Sequence, residues 1–373
     1  MQHFEEDVES LLSLPPYVQE PERRQSQLLK ILKEELDYAS QQHPGYRNYI
    51  QNWPLDYRSV KRIEELPFLP VGILKADPPF ALVGPEQIKR TLRSSATTSQ
   101  VPSQVAVDAS TARRMTKGVV TIVRDFIGPS RRPYLVVDTP SLMASKNGMG
   151  ARAAAIQGLQ PFASETFYCL SADDQGDLKL ELDRLRDFTG SRREGELLIY
   201  SFTFILWNHL ILPLLENGTC LNLPSARILH SGGWKRLQDQ AVDKTTFNEQ
   251  LAEVVGCSPS QVIDFYGLVE TVGVIFPDCP AGNKHAPAFA EVIVRDPLTL
   301  HAVAPGQCGI IQVCSVLPSS FPGHLLLTED MARVIAYDGC ACGRRGISFR
   351  FEGRIPNAEL RGCGNVKTSR SVN

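Results

Sequence analysis

The sequence lacks an excess of charge of either sign. Its 373 residues include 39 Lys and Arg against 41 Asp and Glu, which gives a formal net charge of −2. A chain with this balance has no general attraction to nucleic acid or to an anionic membrane surface. The composition therefore predicts no nucleic-acid partner, and any partner must be recognised at a local site.

The sequence also lacks a secretory signal and a regular cysteine framework. The first ten residues, MQHFEEDVES, are acidic where a signal peptide would be basic and then apolar. The cysteines number nine, an odd count, and are scattered from Cys169 to Cys363. We therefore expect reduced thiols and a cytoplasmic protein.

One apolar run is long enough to raise the question of a membrane-spanning helix. The stretch Leu197–Leu215 contains no Asp, Glu, Lys or Arg and approaches the length of a membrane-spanning helix. It nevertheless contains Asn208, His209 and Pro213, and it changes midway from β-favouring to helix-like residues. A buried strand that continues into a buried helix explains this run better, so we predict no membrane span.

Two common catalytic motifs are missing. No Gly-Lys-Ser/Thr ending follows a glycine-rich loop, so there is no Walker A site, and no G-x-S-x-G elbow supports a serine hydrolase. Gly148–Ala153 imitates a dinucleotide fingerprint, but Pro140 and other residues separate it from the preceding strand that ends at Asp138. The fingerprint requires its first glycine directly after the strand.

The pattern of apolar residues predicts an α/β protein with four regions. Residues 1–65 form a helical segment, and residues 66–285 alternate strands and helices, which favours a mainly parallel sheet. Residues 286–364 contain short apolar runs separated by Pro, Gly and Asp, which indicates an antiparallel β-rich region. Residues 365–373 form a polar tail.

Five short motifs carry candidate chemistry, and each has an ordinary structural explanation when it is considered alone. Hydroxyl-rich loops offer donors to phosphate, glycine pairs permit close approach to a ligand, and carboxylates in apolar runs need a cation. In chain order the motifs are RSSATTSQ (93–100), HSGGWK (230–235), DFYGLVETVG (264–273), LTEDMARV (327–334) and FEGRIPNAELRG (351–362).

The order of these motifs resembles the adenylate-forming ligase superfamily, across roughly residues 66–364. The nearer resemblance is to the LuxE-type acyl-protein synthetases, with features similar to phenylacetate–CoA ligases. LPFLPVGILK (66–75) is similar to a Pro-Phe-Leu-Pro stretch of the synthetases, and HSGGWK is similar to their Gly-Gly-Trp-Lys. Cys363, in LRGCG, matches their acyl-accepting cysteine. The resemblance implies an adenylate-forming α/β fold without the mobile C-terminal domain of longer members.

The resemblance also implies roles for individual residues in binding ATP and Mg²⁺. Ser94, Ser95, Thr97 and Thr98 match the phosphate loop, and Gly232 and Gly233 match the turn beside the adenine. Tyr266 matches the residue that packs on the adenine, Asp330 the acceptor for the ribose hydroxyls, and Arg354 an arginine near ribose and phosphate. Glu270 matches the magnesium-associated glutamate, and Lys235 is a further candidate for a phosphate contact.

The phosphate loop departs from the family pattern. Ala96 and Ser99 stand where glycines are usual, and Pro102-Ser103-Gln104 stand where a lysine often closes the motif. If positions 96 and 99 require a positive φ, these substitutions strain the loop. The sequence therefore leaves two alternatives open, a reduced affinity for ATP or a different arrangement of the loop.

A second set of residues predicts a structural zinc site. Cys279 and His285 are spaced C-x5-H, and Cys340 and Cys342 form C-x-C. Thiolate and imidazole are the usual ligands of a closed zinc site, although this spacing is not that of a regular zinc finger. A similar set occurs as structural zinc in phenylacetate–CoA ligase-like proteins. The alternative is four unconnected residues.

Together these features predict an AMP-forming ligase. ATP would activate a carboxylic acid, fatty or aromatic, to an acyl-adenylate, and the Cys363 thiol would accept the acyl group as a thioester for an acyl-accepting or acyl-reducing partner protein. Two alternatives remain open on the sequence. One is an acyl- or aryl-CoA ligase, and the other is a non-catalytic member that binds an acyl chain or a partner.

Overall fold

The computed structural model describes residues 2–94, 101–144, 149–173, 175–192, 194–234 and 240–355. These residues form two compact units. Of the described residues, the first unit contains 2–94, 101–126 and 266–355, and the second contains those between 127 and 265. The four regions predicted from the sequence follow chain order, whereas the first unit joins distant segments, so the predicted boundaries stay predictions.

Helices occupy the N-terminal segment and the connections between strands. Their bounds are α1 (Gln2–Ser13), α2 (Pro21–Gln42), α3 (Pro44–Gln51), α4 (Ala109–Ile127), α5 (Ala151–Leu159), α6 (Leu182–Gly190), α7 (Thr203–Leu206), α8 (Leu212–Glu216) and α9 (Lys244–Val255).

Strands begin after the N-terminal helices and dominate the end of the described chain. Their bounds are β1 (Leu69–Pro70), β2 (Arg90–Arg93), β3 (Gln104–Val107), β4 (Arg132–Val136), β5 (Met149–Gly150), β6 (Ala163–Tyr168), β7 (Leu170–Ala172), β8 (Leu178–Leu180), β9 (Leu198–Phe202), β10 (Arg227–Ser231), β11 (Val262–Tyr266), β12 (Phe276–Pro277), β13 (Lys284–His285), β14 (Ala290–Arg295), β15 (Cys308–Ser315), β16 (Leu325–Ala336) and β17 (Ser348–Arg354).

The N-terminal segment is helical, as predicted. In α2, one apolar face is buried at Leu28, Ile31, Leu32, Leu36 and Ala39, whereas Leu29 is only half-buried. Pro44 then begins α3, because its fixed φ suits the first turn of a helix, where its missing N–H has no partner to lose. α2 therefore ends at Gln42 and α3 begins at the Pro44-Gly45 pair.

The second unit contains a parallel sheet with the strand order β11-β10-β9-β4-β6. Strands β4 and β9 are almost fully buried, which accounts for their continuous apolar sequences. Arg152, in the segment that imitates a dinucleotide fingerprint, lies in α5 and forms a buried ion pair with Asp138, two residues after the end of β4. This carboxylate is thus paired with a side chain of its own protein.

The charge-free run Leu197–Leu215 is a strand followed by a helix. Buried β9 leads directly into α7, a π-helical turn (Trp207–Ile211) and α8. In the part of the chain that the structure describes, no helix is long and apolar enough to cross a membrane. The prediction of a buried strand and helix is confirmed.

The β-rich part of the first unit is a sheet with the order β13-β17-β16-β15-β14, and β1 pairs in parallel with β16. The apolar runs at 324–328 and 333–337 are separated by polar residues in the sequence. In the structure they nevertheless belong to one continuous strand, β16, of 12 residues. Polar residues 328–330 do not break the strand because Thr328 and Asp330 are buried and hydrogen-bonded in place. Asp330 is therefore a residue within a strand.

Candidate functional site

The first unit brings together four of the predicted nucleotide-site residues. Tyr266 ends β11, Glu270 lies in the short 3₁₀ turn Val269–Thr271, Asp330 lies in β16, and Arg354 ends β17. In the register of the two antiparallel strands, Asp330 lies opposite Arg354. Residues that are distant in sequence therefore converge on one face of the β-rich sheet.

Asp330 is the centre of this group. It is only 5% exposed, its Oδ2 accepts a hydrogen bond from the Tyr266 hydroxyl at 2.9 Å, and its Oδ1 lies 3.6 Å from Nε of Arg354. Burial raises the pKa of Asp330 to about 6, and the charge of Arg354 opposes that rise. Burial and the neighbouring Asp330 also raise the pKa of Tyr266, so its hydroxyl stays a hydrogen-bond donor.

Glu270 is a second buried carboxylate in the same group. It is 6% exposed, and burial raises its pKa, while the Ser103 hydroxyl and the charge of Arg354 act in the opposite direction. The carboxylate of Glu329 repels the charges of both Glu270 and Asp330. Oxygen ligands of this kind are the ones that Mg²⁺ prefers, so the group fits the ion that the family implies. Glu270 would hold that ion.

Aromatic rings surround the Tyr266 side chain. Its ring is stacked near Phe351, with 5.1 Å between centroids, and near Phe276, with 5.9 Å. Tyr266 and Phe276 are buried, whereas Phe351 in β17 is 41% exposed. The aromatic surface that solvent reaches here thus belongs mainly to Phe351, a residue that the sequence interpretation did not single out.

The stem of the Ser/Thr loop also lies in the first unit. Ser94 follows β2, and its backbone N–H donates to the Ser103 carbonyl at 3.0 Å. The backbone N–H of Ser103 donates in return to the Ser94 hydroxyl at 2.8 Å. The rest of the loop lies outside the described residues, so the roles predicted for it stay predictions. This part contains Ser95, Thr97 and Thr98, together with Ala96 and Ser99 at the positions where glycines are usual.

Gly232 and Gly233 lie in the second unit, directly after β10. Gly232 has φ +77°, a left-handed conformation that favours glycine, and its carbonyl accepts a hydrogen bond from the Thr203 hydroxyl at 2.7 Å. Among the residues that the structure describes, a Cβ built on Gly233 would meet nothing within 4 Å. The turn therefore leaves its backbone accessible. Lys235, which follows it, and Cys363 both lie outside the described residues.

The four predicted zinc ligands form a compact group in the first unit: Cys279, His285, Cys340 and Cys342. One potential ligand atom from each lies within 4.8 Å of all the others. The sulfurs of Cys279 and Cys340 are 3.9 Å apart, and Nε2 of His285 is 3.3 Å from the sulfur of Cys342. Tetrahedral zinc with Zn–S bonds of about 2.3 Å would hold two sulfurs about 3.8 Å apart. The donor set fits zinc, and Glu270 is not part of it.

The surroundings of this group favour the metal-binding forms of His285 and Cys340, whereas burial raises the pKa of Cys279 to about 11. Burial, followed by the charge of Arg344, lowers the pKa of His285 to about 4, so its imidazole is neutral. Hydrogen bonds from the Cys342 backbone and the Asn283 side chain lower the pKa of Cys340, although burial opposes them. Nδ1 of His285 is buried and has no hydrogen-bond partner in the described chain, which leaves Nε2 to face the sulfurs.

With the fold and the group of residues described, the comparisons with known proteins can be stated. The fold is that of adenylate-forming CoA ligases. A solved structure of 2-hydroxyisobutyryl-CoA ligase, in complex with 2-HIB-AMP and CoA in the thioesterification state, aligns with a TM-score of 0.70. Its sequence identity is 16%, and the alignment covers 91% of this chain and 70% of that one. An open conformation of the same ligase gives a TM-score of 0.67, 15% identity, and coverage of 93% and 81%.

The chain belongs to the family described as acyl-protein synthetase, LuxE, whose model matches residues 5–371. It is similar to the long-chain-fatty-acid–luciferin-component ligases of Vibrio harveyi, with 31% identity over 138 residues, and of Aliivibrio fischeri, with 29% over 108 residues. These alignments cover 36% and 29% of this chain, and 35% and 28% of the relatives. The matched stretch thus spans about a third of each relative. The predicted family and fold are confirmed.

Proposed function

We propose that this protein uses ATP to activate a long-chain fatty acid and then carries the acyl group as a thioester on Cys363. The observation that carries this proposal is the convergence of Tyr266, Glu270, Asp330 and Arg354 in the order that the resemblance requires. Membership of the acyl-protein synthetase family and the fatty-acid ligases among its relatives support the choice of substrate.

In the first step, a carboxylate oxygen of the fatty acid attacks the α-phosphorus of ATP. The bond from that phosphorus to the bridging oxygen breaks, and pyrophosphate leaves with the bonding electrons. Asp330, which already orders Tyr266 and Arg354, accepts hydrogen bonds from the ribose hydroxyls, and Arg354 lies beside it as a cation for ribose and phosphate. When bound near Glu270, Mg²⁺ would supply charge neutralisation for the phosphates.

In the second step, the thiolate of Cys363 attacks the acyl carbonyl, and AMP leaves with the electrons of the carbon–oxygen bond. The product is an acyl thioester on the protein, from which a partner that accepts or reduces acyl groups removes the chain. Thiolates are effective nucleophiles at neutral pH, which makes a cysteine suited to this role. Lys235 is proposed as an additional phosphate contact.

We propose a structural role for zinc at Cys279, His285, Cys340 and Cys342. Three thiolates and one imidazole complete four-coordination and leave no position open for a substrate. The ion would therefore hold strand β13 and the Cys340–Cys342 turn together within the β-rich part of the chain. It takes no part in acyl transfer.

Labelling the protein with radioactive fatty acids of different lengths tests both steps. Wild type, incubated with ATP and Mg²⁺, should incorporate label that hydroxylamine releases, and the same acids should drive ATP–pyrophosphate exchange. Cys363→Ser should retain exchange and lose at least nine-tenths of the stable label. Cys220→Ser, which removes an exposed thiol in the second unit, is the control and should label like wild type.

Each outcome has a defined meaning for the proposal. Equal labelling of Cys363→Ser and wild type contradicts the acceptor role of Cys363. Exchange without stable label, combined with AMP formation that requires coenzyme A, would indicate an acyl-CoA ligase instead. If no carboxylic acid supports exchange, the proposed activation step is wrong.

A further inference from the structure

Asn283 lies next to the proposed zinc ligands without being one of them. It stands between Cys279 and His285 in the chain, and it is only 6% exposed. Its backbone carbonyl accepts a hydrogen bond from the Cys279 N–H at 2.8 Å, which closes the turn that carries this cysteine. Strand β13, which contains His285, begins at the next residue. The backbone of Asn283 therefore connects two of the four proposed ligands.

The side chain of Asn283 contacts a third ligand. Its Nδ2 donates a hydrogen bond to the sulfur of Cys340 at 3.4 Å, and that sulfur lies 3.9 Å from the sulfur of Cys279. A cysteine that binds zinc is a thiolate, and a charged sulfur is a stronger acceptor than a neutral thiol. The contact is therefore suited to the metal-binding form of Cys340.

Arg350 determines which end of the Asn283 amide faces the sulfur. Nε of Arg350 donates to Oδ1 of Asn283 at 2.9 Å. An arginine side chain has donors and no acceptor, so only the amide oxygen can face it, and the NH₂ group is left to face Cys340. Arg350 lies in β17, and the preceding residue, Phe349, is opposite Lys284 in β13. The pairing of the two strands thus holds the donor and the acceptor together.

We propose that Asn283 is a positioning residue of the zinc site, which holds the thiolate of Cys340 in the place that the ion requires and is itself held by Arg350. This inference rests on the structural zinc proposed above, and Asn283 does not itself bind the ion. Residues that hydrogen-bond to metal ligands fix the orientation of those ligands and adjust how strongly they donate electrons to the metal. The role is therefore measurable at the metal site, without an assay of acyl transfer.

Zinc affinity, measured by competition with a chelator of known affinity, tests the role of the amide. Asn283→Asp replaces the NH₂ donor by an oxygen of almost the same size and keeps an acceptor for Arg350. It should bind zinc about 10–100-fold more weakly than wild type, which is the loss expected when a hydrogen-bond partner of a metal ligand is changed. Arg350→Ala leaves the Asn283 amide in place but removes the group that orients it, so we expect a smaller loss of about 2–10-fold. Because Arg350 is exposed, this variant carries the test if Asn283→Asp does not fold.

Substitution of cobalt for zinc gives a second measurement, which reports directly on the sulfur. A hydrogen bond lowers the energy of the sulfur lone pairs, so its loss should move the thiolate-to-cobalt charge-transfer absorption of Asn283→Asp to longer wavelength. Asn283→Ala, which introduces no charge, should show a shift in the same direction.

Asn222→Asp is the matched control. Asn222 is an asparagine of the second unit that also contacts a cysteine, since its Oδ1 lies 3.5 Å from the sulfur of Cys220. That cysteine is outside the zinc group. The control should therefore keep both the zinc affinity and the cobalt absorption of wild type.

The outcomes distinguish this inference from the proposals on which it rests. If wild type binds zinc and the Asn283 and Arg350 variants bind it equally well, the positioning role is wrong and the zinc proposal stands. A loss of affinity without a shift of the cobalt absorption would also overturn the role, because Asn283 would then support the fold and not the sulfur. If wild type binds no zinc, the zinc proposal fails, and this inference fails with it. ATP–pyrophosphate exchange tests the activation of the fatty acid separately from these results.

Discussion

Replacing Asp330 by asparagine should change stability and nucleotide affinity in opposite directions. Burial raises the pKa of Asp330 to about 6 from an ordinary value of 3.8. The folded protein therefore holds this proton more tightly than the unfolded chain does. The stability linked to the proton is present in full below about pH 4 and is lost as the pH rises through about 6. A difference of about two pH units corresponds to about 3 kcal/mol.

Asparagine cannot ionise, so the variant should escape that loss. Its amide oxygen still accepts from the Tyr266 hydroxyl, which keeps the buried contact. We expect the free energy of unfolding of Asp330→Asn, relative to wild type, to rise by up to about 3 kcal/mol between pH 4 and pH 8. Urea unfolding followed by circular dichroism at pH 4, 6 and 8 measures the difference.

The same variant should bind ATP about 10–100-fold more weakly, because it replaces a charged acceptor for the ribose hydroxyls by a neutral one. Glu352→Gln is the control: Glu352 pairs at 3.0 Å with Arg333 on the surface of the same two strands. An exposed pair contributes about 0–1 kcal/mol, so this control should show neither effect. If the stability of Asp330→Asn relative to wild type does not change with pH, the carboxylate does not have a raised pKa. Unchanged ATP affinity would refute the ribose role.

Two further predictions concern the zinc group and the exposed aromatic ring. Cys342→Ser should lower the zinc content, measured by mass spectrometry, from about one ion per chain to near zero and should reduce the melting temperature. Cys308→Ser, which changes a cysteine outside the group, should retain the metal. Equal zinc content in the two variants would exclude the proposed ligands. Phe351→Ala should weaken ATP binding about fivefold to tenfold, since aromatic stacking contributes about 1 kcal/mol. Tyr337→Ala, which removes a similarly exposed ring near the end of β16, should leave ATP binding unchanged. Equal ATP affinity of the two variants would show that Phe351 is not part of the nucleotide site.

The order of the motifs along the chain was sufficient to predict the family, because that order is specific even though each motif alone has several explanations. Glu270 illustrates this: a lone glutamate in an apolar run has several explanations, and its position four residues after Tyr266 selected one of them. The candidate zinc site was predicted from the residue types of Cys279, His285 and the C-x-C pair and from a similar set in phenylacetate–CoA ligase-like proteins. The structure brings four potential ligand atoms together, although the segments that carry them are far apart in sequence.

Phe351 could not be found by this reasoning. Its residue type does not signal chemistry, and it matters only through what it meets in the folded chain. Phe351 meets Tyr266, with 5.1 Å between ring centroids, because β17 is placed beside it. Sequence spacing within a strand reports which face a side chain occupies, but it carries no information about the residue that packs against that face.

The position of Arg354 shows how closely the candidate site depends on strand register. Pairing between β16 and β17 shifts between Met331 and Ala332, and Met331 lies opposite Gly353, whose φ of +116° is strained for any other residue. This irregularity brings Arg354 opposite Asp330 at the end of β17. Without it, a displacement of one residue would turn the guanidinium to the other face of the sheet. Gly353 has its positive φ beside this shift and directly before Arg354, which gives a physical reason for the two residues to stand together in the motif.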